Sequence, residues 1–514
     1  MTSSVVVTGL GVTAPNGLGA QEFWASTRTG RSGIGRITNF DPTPYPVRLA
    51  GEVPGFVAKD HLPSRLLPQT DRMTQLALVA ADWALADARV DPKELPEFDI
   101  GVITASSSGG FAFGQNELRN LWSKGGQYVS AYQSFAWFYA VNSGQISIRN
   151  GMKGPSGVIV TDQAGGLDAV AQARRQIRKG TAMIVTGAVD ATVCPWGWAA
   201  QLADGRMSTC DDPDGAYLPF DDRARGHVSG EGGAILILES AGSAQARGAR
   251  VYGEIAGYGA TFDPRPGSGR EPALRKAIEL ALADAGVEPG EVDVVFADAA
   301  AVPELDRVEA DAITDVFGPR GVPVTAPKTM TGRLLSGAAP LDLATALMAM
   351  DEGLIPPTVN VAPAPDYRLD LVVGAPRAAQ LCTALVLARG AGGFNSAMVV
   401  RATPPAGHQG PQAAGENAYR KLKGVPMASQ QFTIDDLKRI LLEGAGTDEG
   451  VDLDGDILDM SFDELGYESL ALLETGGRIE REYGITLDDT AVTDAGNPRA
   501  LIEVVNAHLA GARA

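Results

Sequence analysis

Val158-Ile-Val-Thr-Asp-Gln-Ala-Gly-Gly-Leu-Asp168 decides how this chain is read. Three β-branched residues, Val158, Ile159 and Val160, predict the end of a buried strand. Gly165 and Gly166 permit a tight turn with close backbone approach. From Leu167 the pattern turns helical, with apolar residues at Leu167, Val170, Ala171, Ala173 and Ile177. Arg174, Arg175, Arg178 and Lys179 gather near the end of that helix, and Gly180 stops it. Strand, sharp turn and helix is the geometry of a nucleophile elbow. The residue at the bend is Gln163, and an amide is no nucleophile at neutral pH. Strand–turn–helix units occur in every α/β protein, so this stretch alone leaves a plain structural unit as an equal alternative.

The 514 residues predict about three domains, or one large double domain plus a small one. An apolar content of 45% with 20% charged residues is that of a globular protein. No apolar run approaches the roughly 18 residues of a membrane span, so no membrane partner is expected. The start, Met-Thr-Ser-Ser-Val-Val-Val, lacks a basic secretion-signal region and reads as a first strand, so a cytoplasmic location is expected. Cys194, Cys210 and Cys382 are odd in number and far apart, which predicts neither a disulfide framework nor a metal site. The net charge of −19 argues against nucleic acid as a partner. Residues 428–514 hold 19 acids and 6 bases, whereas the rest of the chain is nearly balanced, which predicts two modules of different origin.

Strands are expected near Val5, over Ile100–Thr104 and from Ala182, with an amphipathic helix over Thr70–Val90. Trp122, Tyr128, Tyr132, Phe135, Trp137, Phe138 and Tyr139 crowd residues 115–150, a composition that favours a subunit interface. A second half repeats the pattern: strand at Val251–Tyr258, helix at Glu271–Ala285, strand at Val292–Ala297, helix at Ala338–Asp351 and a closing hairpin at Leu381–Val400. The two halves predict a duplicated, mostly parallel-sheet body over residues 1–403. Residues 404–431 lack apolar periodicity and read as a flexible linker. Met427-Ala-Ser sits where a separate protein would begin, so a designed fusion is one origin of the join. Residues 432–514 read as a small all-α bundle, with helices marked by Ile434–Leu441, Leu470–Tyr483 and Leu501–Leu509.

Over residues 3–403 the body resembles the ketosynthase family of the thiolase fold, a duplicated αβαβα architecture. The resemblance rests on Val6-Val-Thr-Gly-Leu-Gly, Pro219-Phe-Asp-Asp-Arg-Ala-Arg-Gly-His-Val-Ser-Gly-Glu-Gly, Lys328-Thr-Met-Thr-Gly-Arg333, Ile355-Pro-Pro-Thr-Val-Asn360 and Gly392-Gly-Phe-Asn-Ser396, in that order. Condensing members need a cysteine at the elbow and two histidines, the thiolate taking the acyl chain and the histidines donating to the thioester oxygen. The resemblance puts Gln163, Asp298 and Arg333 at those three positions, with Asp298 and Arg333 expected to pair. A glutamine elbow of this form looks like the chain-length factor, or ketosynthase beta, of bacterial type II polyketide synthases. That implies a heterodimer with ketosynthase alpha and a tunnel at their interface. A purely structural role for Gln163 is favoured over auxiliary decarboxylation. The resemblance puts the chain-length gates at Phe111, Gly114 and Leu118. Octaketide-type members carry bulkier residues at the second and third gates, so glycine and leucine there imply a product longer than an octaketide.

Residues Phe432–Leu509 resemble acyl carrier proteins through Leu465-Gly-Tyr-Glu-Ser-Leu470. This implies a four-helix bundle with 4'-phosphopantetheine on Ser469, the competing reading being a helix N-cap. Glu468, Glu474, Glu480 and Glu482 predict an acidic face that steers the carrier to basic partners. Implied partners are a phosphopantetheinyl transferase, a malonyl-CoA:carrier-protein acyltransferase, and downstream ketoreductase and cyclases. Two other functions compete: a self-sufficient acyltransferase using Cys194 or Cys210, and a scaffold with a relic pocket. His61, His227, His408 and His508 are the only histidines, none beside either cysteine in sequence; His227 reads as core or gate lining.

Overall fold

A computed structural model describes residues 4–265, 267–403, 432–447 and 451–511; the expected linker over 404–431 lies outside them. The strands of the large sheet are β1 (Val5–Ala14), β2 (Ile100–Ala105), β3 (Ser156–Ile159), β4 (Met183–Asp190), β5 (Gly232–Ser240), β6 (Gly253–Phe262), β7 (Val294–Phe296), β8 (Pro323–Thr325), β9 (Thr383–Gly390) and β10 (Phe394–Arg401). Their spatial order is β3-β2-β4-β5-β1-β6-β10-β9-β7-β8, with Asp370–Leu371 beyond β8 and Gly17–Leu18 beside β1. Taking β1–β5 and β6–β10 as units, each half places its third, second, fourth, fifth and first strands side by side in that order. The duplication read from the sequence is therefore a repeated topology.

The expectation of a mostly parallel sheet is corrected. Strands β2, β3 and β4 are parallel to one another, as are β7, β8 and β9, but β4–β5, β5–β1, β1–β6, β6–β10 and β10–β9 are antiparallel. The parallel pairs are those whose connections cross over through helices. Strands β9 and β10 are instead joined by a tight hairpin, which reverses direction.

Helices α1 (Arg72–Ala88) and α4 (Leu274–Ala285) repeat the duplication at the level of packing. A Cβ at Gly9 or Gly11 of β1 would strike the carbonyls of Ala84 and Ala80; one at Gly257 or Gly259 of β6 would strike those of Ala281 and Ala277. Paired glycines in each half thus let a helix lie directly on its strand. Between them in the chain run α2 (Phe111–Lys124) and α3 (Gly165–Arg178); α5 (Pro303–Phe317) and α6 (Ala338–Glu352) follow. All of Ala338–Met350 is buried, so α6 forms an inner layer with α3. The close approach of α3 to α6 requires Gly166, where a Cβ would clash with Pro340 and the Ser336 carbonyl.

The described residues form two compact units, one within 1–61, 70–116 and 134–403, the other within 62–69, 117–133 and 404–514. In the latter, α7 (Ile434–Ala445), α8 (Ser469–Tyr483), α9 (Asp489–Thr493) and α10 (Pro498–Gly511) make the expected four helices. Thr433 and Asp436 form a capping box at the start of α7. Phe432, Leu437, Leu441, Ile479, Leu501 and Val505 are buried in one core. No helix among the described residues is long and apolar enough to cross a membrane.

Candidate functional site

Two details of the elbow differ from the sequence reading. The strand is not buried: β3 pairs only with β2, and Val160 beyond it is 47% exposed. An edge strand keeps one side open, which β-branched composition does not reveal. The helix begins at Gly165 rather than Leu167, after a short 3-10 turn over Asp162–Ala164. Asp162, not a glycine, adopts the left-handed conformation at φ 53°. Its carboxylate accepts a hydrogen bond from the Ala391 amide at 2.7 Å, which holds the strained backbone in place. Behind the turn, Asp168 accepts from Tyr258 Oη at 2.6 Å and from Thr161 Oγ1 at 2.6 Å, tying the helix to β6 of the other half.

Gln163 follows the strained residue, is 6% exposed, and its Oε1 accepts no hydrogen bond from the described residues. It lines a cavity of about 460 Å3 together with His227, Asp298, Arg333, Arg389 and Phe394. Asp298 and Arg333 pair as expected: Nη1 lies 3.0 Å from Oδ2 and Nη2 3.1 Å from Oδ1, with both side chains buried. Arg333 also donates to the Asp298 carbonyl at 2.9 Å, and the Arg389 amide donates to Asp298 Oδ1 at 2.9 Å. Burial by itself would raise the Asp298 carboxyl, but Arg333 and Lys328 outweigh it and hold the group below the usual carboxylate range. Burial, aided by Arg333, keeps the His227 imidazole neutral, its pKa pushed down to about 3.

Sequence reasoning missed the frame around this pair. Ala299 and Ala301 have φ of 51° and 53°, and Glu309 of α5 holds that strained segment by accepting from the Asp298 and Ala299 amides at 2.6 and 2.8 Å. Lys328 is buried against Asp342 at 2.6 Å and donates to the Ala297 carbonyl at 2.5 Å. The quoted Lys328–Arg333 block held the clue for Lys328; nothing local marks Glu309.

The gate candidates do not line this cavity. Phe111 stacks on Trp196 with ring centroids 4.7 Å apart and planes at 12°. Gly114 is buried, with space for a Cβ only 3.0 Å from Trp196 Cζ3 and 3.4 Å from Trp137 Cβ. Leu118 is 38% exposed. The i, i+3, i+7 spacing puts the three on one side of α2 without bringing them to Gln163.

Cys194 is the N-cap of the helix Pro195–Leu202, its Sγ 3.5 Å from the Gly197 amide. Burial pushes its thiol up to about 11, so the thiolate is scarce at neutral pH. Cys210 donates to the Asp212 carbonyl at 3.6 Å. His61 stacks on Phe56, and His508 sits on α10 with Nδ1 2.9 Å from the Val504 carbonyl; His408 lies outside the described residues. No described histidine accompanies either thiol as a base.

In the helical unit, Ser469 is exposed as the first residue of α8, and Glu468 rather than Ser469 occupies the N-cap. Its hydroxyl therefore stands free at a helix N-terminus, the setting that suits a phosphodiester. Tyr467 fixes the preceding turn, buried and donating to the Gly446 carbonyl at 2.6 Å. The expected acidic face is corrected: Glu474 is buried between Arg478 and Arg481, Glu480 accepts from the Leu487 amide, and Glu482 pairs with Arg439. At 100° per residue the four glutamates cannot share one side, and Glu468 is the most exposed of the three that form ion pairs.

Residues 2–244 match the family model "Beta-ketoacyl synthase, N-terminal domain", residues 252–362 its C-terminal domain, and residues 439–505 "Phosphopantetheine attachment site". The tetracenomycin polyketide synthase ketoacyl synthase beta subunit of Streptomyces glaucescens is 60% identical over 400 residues, covering 77% of this chain and 98% of that protein. The 3-oxoacyl-[acyl-carrier-protein] synthase 2 of Staphylococcus aureus is 35% identical over 77% of this chain and 98% of that protein. Among solved structures, the ishigamide ketosynthase/chain length factor matches with a TM-score of 0.73 and 29% identity, covering 79% of this chain and all of that one. The chain belongs to the beta-ketoacyl synthase family, with type II polyketide synthase ketosynthase beta subunits as homologues and a phosphopantetheine attachment domain at its C-terminal end.

Proposed function

We propose that this chain is a non-condensing chain-length factor that works as a heterodimer with a ketosynthase alpha, and that its fused carrier tethers malonyl and growing polyketide at Ser469. One observation carries the reading: the elbow presents an amide, and the two charges beside it are spent on each other. Gln163 offers no nucleophile, and Asp298 bound to Arg333 offers no free donor to a developing oxyanion. Gln163 accordingly fills space rather than catalysing decarboxylation. When bound, the phosphopantetheine arm supplies a thiol for thioester linkage; the chain's own part is the exposed Ser469 hydroxyl at the start of α8. Modules within 1–403 and 432–514, joined by 404–431, remain the division that fits the charge and the family matches.

The open edge of β3 and the exposed Trp137, Phe138, Tyr139, Ile148 and Val160 support a partner surface on the body. Buried Gly114 against Trp196 supports a volume gate on α2, and its lack of a side chain favours a product longer than an octaketide. A phosphopantetheinyl transferase, a malonyl-CoA:carrier-protein acyltransferase and later ketoreductase and cyclases complete the set of partners. The test is incubation of the pure, phosphopantetheinylated chain with a malonyl donor, with and without the alpha subunit. Polyketide formed only with the alpha subunit is the expected result. Condensation by the chain alone would favour the acyltransferase reading through Cys194 or Cys210, and no product in either mixture would favour the scaffold.

A further inference from the structure

The segment that leads into α2 is pinned by two buried carboxylates outside the cavity at Gln163. Asp190, ending β4, accepts from Ser106 Oγ at 3.0 Å, from the Ser107 amide at 3.1 Å and from the Ser336 amide at 3.0 Å. Asp71 stands at the other end of the segment and is 2% exposed. Its Oδ1 accepts from the Met73 amide at 2.8 Å, capping α1, while its Oδ2 accepts from the Phe113 amide at 2.7 Å, inside the first turn of α2. A single carboxylate thus joins the N-termini of two helices. Between the anchors, Gly109 turns through φ +75°, and a Cβ on Gly110 would lie 2.7 Å from Asp71 Cβ. The turn has no slack.

We propose that Asp71 is a positioning residue for product length: its bond to the Phe113 amide fixes the rotation of α2 and so the direction in which Phe111, Gly114 and Leu118 face. This rests on the chain-length reading above. Side chains radiate from a helix whose Cα atoms lie about 2.3 Å from the axis, so a rotation of roughly 20° moves a Cβ by about 1 Å. In a close-packed wall such a shift reshapes the space that a growing chain can fill. Hydrogen bonds from helix N-terminal amides to a carboxylate are charge-assisted, which makes this anchor stiffer than a neutral cap. At the other side of the same helix, Gln115 Oε1 accepts from the Trp196 amide at 2.7 Å, so release at Asp71 leaves α2 free to pivot about that contact.

The experiment uses the full phosphopantetheinylated chain reconstituted with the alpha subunit and a malonyl donor, with product lengths read by mass spectrometry. Asp71→Ser keeps a cap for Met73, because serine is a good N-cap, but its short single oxygen cannot also reach Phe113. The expected result is an increase of about tenfold in the ratio of off-length to main product, the scale of one lost hydrogen bond to a charged acceptor. Asp87→Asn on the same helix removes a carboxylate that serves Leu10 and Tyr252 instead, and should lower thermal stability without moving that ratio. An unchanged ratio for Asp71→Ser, or one that moves equally for Asp87→Asn, overturns the proposal. If Asp71→Ser gives no folded body, Asp71→Asn, which keeps the volume and one acceptor, must show the same change of ratio or the proposal falls. Gly114→Phe separates the two levels: if it shortens the product while Asp71 variants do not, only this inference fails. If Gly114→Phe changes nothing, the chain-length reading fails and takes the inference with it.

Discussion

Removing one member of the Asp298–Arg333 pair should destabilise the body far more than removing both. The two bonds, 3.0 and 3.1 Å long, join groups that are each at least 95% buried. Asp298→Asn leaves the Arg333 guanidinium without a counter-charge in a low-dielectric site, a loss of about 3–5 kcal/mol. Arg333→Met strands the carboxylate at a similar cost. The double variant Asp298→Leu/Arg333→Met removes both charges, and apolar replacements of buried pairs are commonly neutral or stabilising by about 1–4 kcal/mol. The cycle should therefore show a coupling of about 3 kcal/mol or more between the two sites. Urea unfolding followed by tryptophan fluorescence measures it, since five of the six tryptophans lie in the same unit as the pair and Trp122 is already 84% exposed. The pH dependence has a fixed sign. The folded carboxyl sits below its ordinary value, so its contribution is present above about pH 4 and is lost as pH falls through the folded pKa. Single variants that cost under about 1 kcal/mol, or a double variant equal to the sum of the singles, would refute the claim that this charge pair is a sealed structural unit.

Ser469→Ala should abolish the mass gain on incubation with a phosphopantetheinyl transferase and coenzyme A while leaving the helical unit folded, because Ser469 caps nothing; intact-mass spectrometry and circular dichroism check both. Gly114→Phe must displace Trp196 or Trp137, since even its Cβ falls 3.0 Å from Trp196 Cζ3, and the expected outcome is a shorter main product in the reconstituted system. Burial pushes the Asp306 carboxyl up to about 7, and its Oδ1 has no hydrogen-bond partner among the described residues while Oδ2 serves the Phe220 amide at 2.8 Å. A carboxyl whose folded pKa is raised favours the neutral form, so the stability it allows is full below about pH 4 and declines as pH rises toward 7. Asp306→Asn should flatten that decline, which thermal unfolding from pH 5 to pH 8 would reveal. An unchanged slope would count against a buried, strained carboxylate there.

Much of the molecule was legible from residue pattern because local rules carried it. Several strands and the helix at Ala338–Glu352 were placed by residue pattern, and the tail helices through their apolar periodicity. The duplication showed as two alternations of strand and helix. Gln163 was read at the bend and Arg333 at the end of the Lys328–Arg333 block, whereas Asp298 came from the family resemblance, and the pairing of the two charges followed from the cost of an isolated buried ion.

Sequence alone determined the composition of the site and of the carrier motif, since the identities of Gln163, Asp298, Arg333 and Ser469 are written in one dimension. Tertiary structure alone decided direction, exposure and long-range partnership. Strand direction depended on how distant connections return, which made the centre of the sheet antiparallel. The exposure of Val158–Val160 depended on β3 having no neighbour on one side. Glu309 reached the strained alanines, and Asp71 reached Phe113, only because separate helices converge on them. A hydrogen bond between residues 42 positions apart has no local signature; it exists once packing has brought its donor and acceptor within 3 Å.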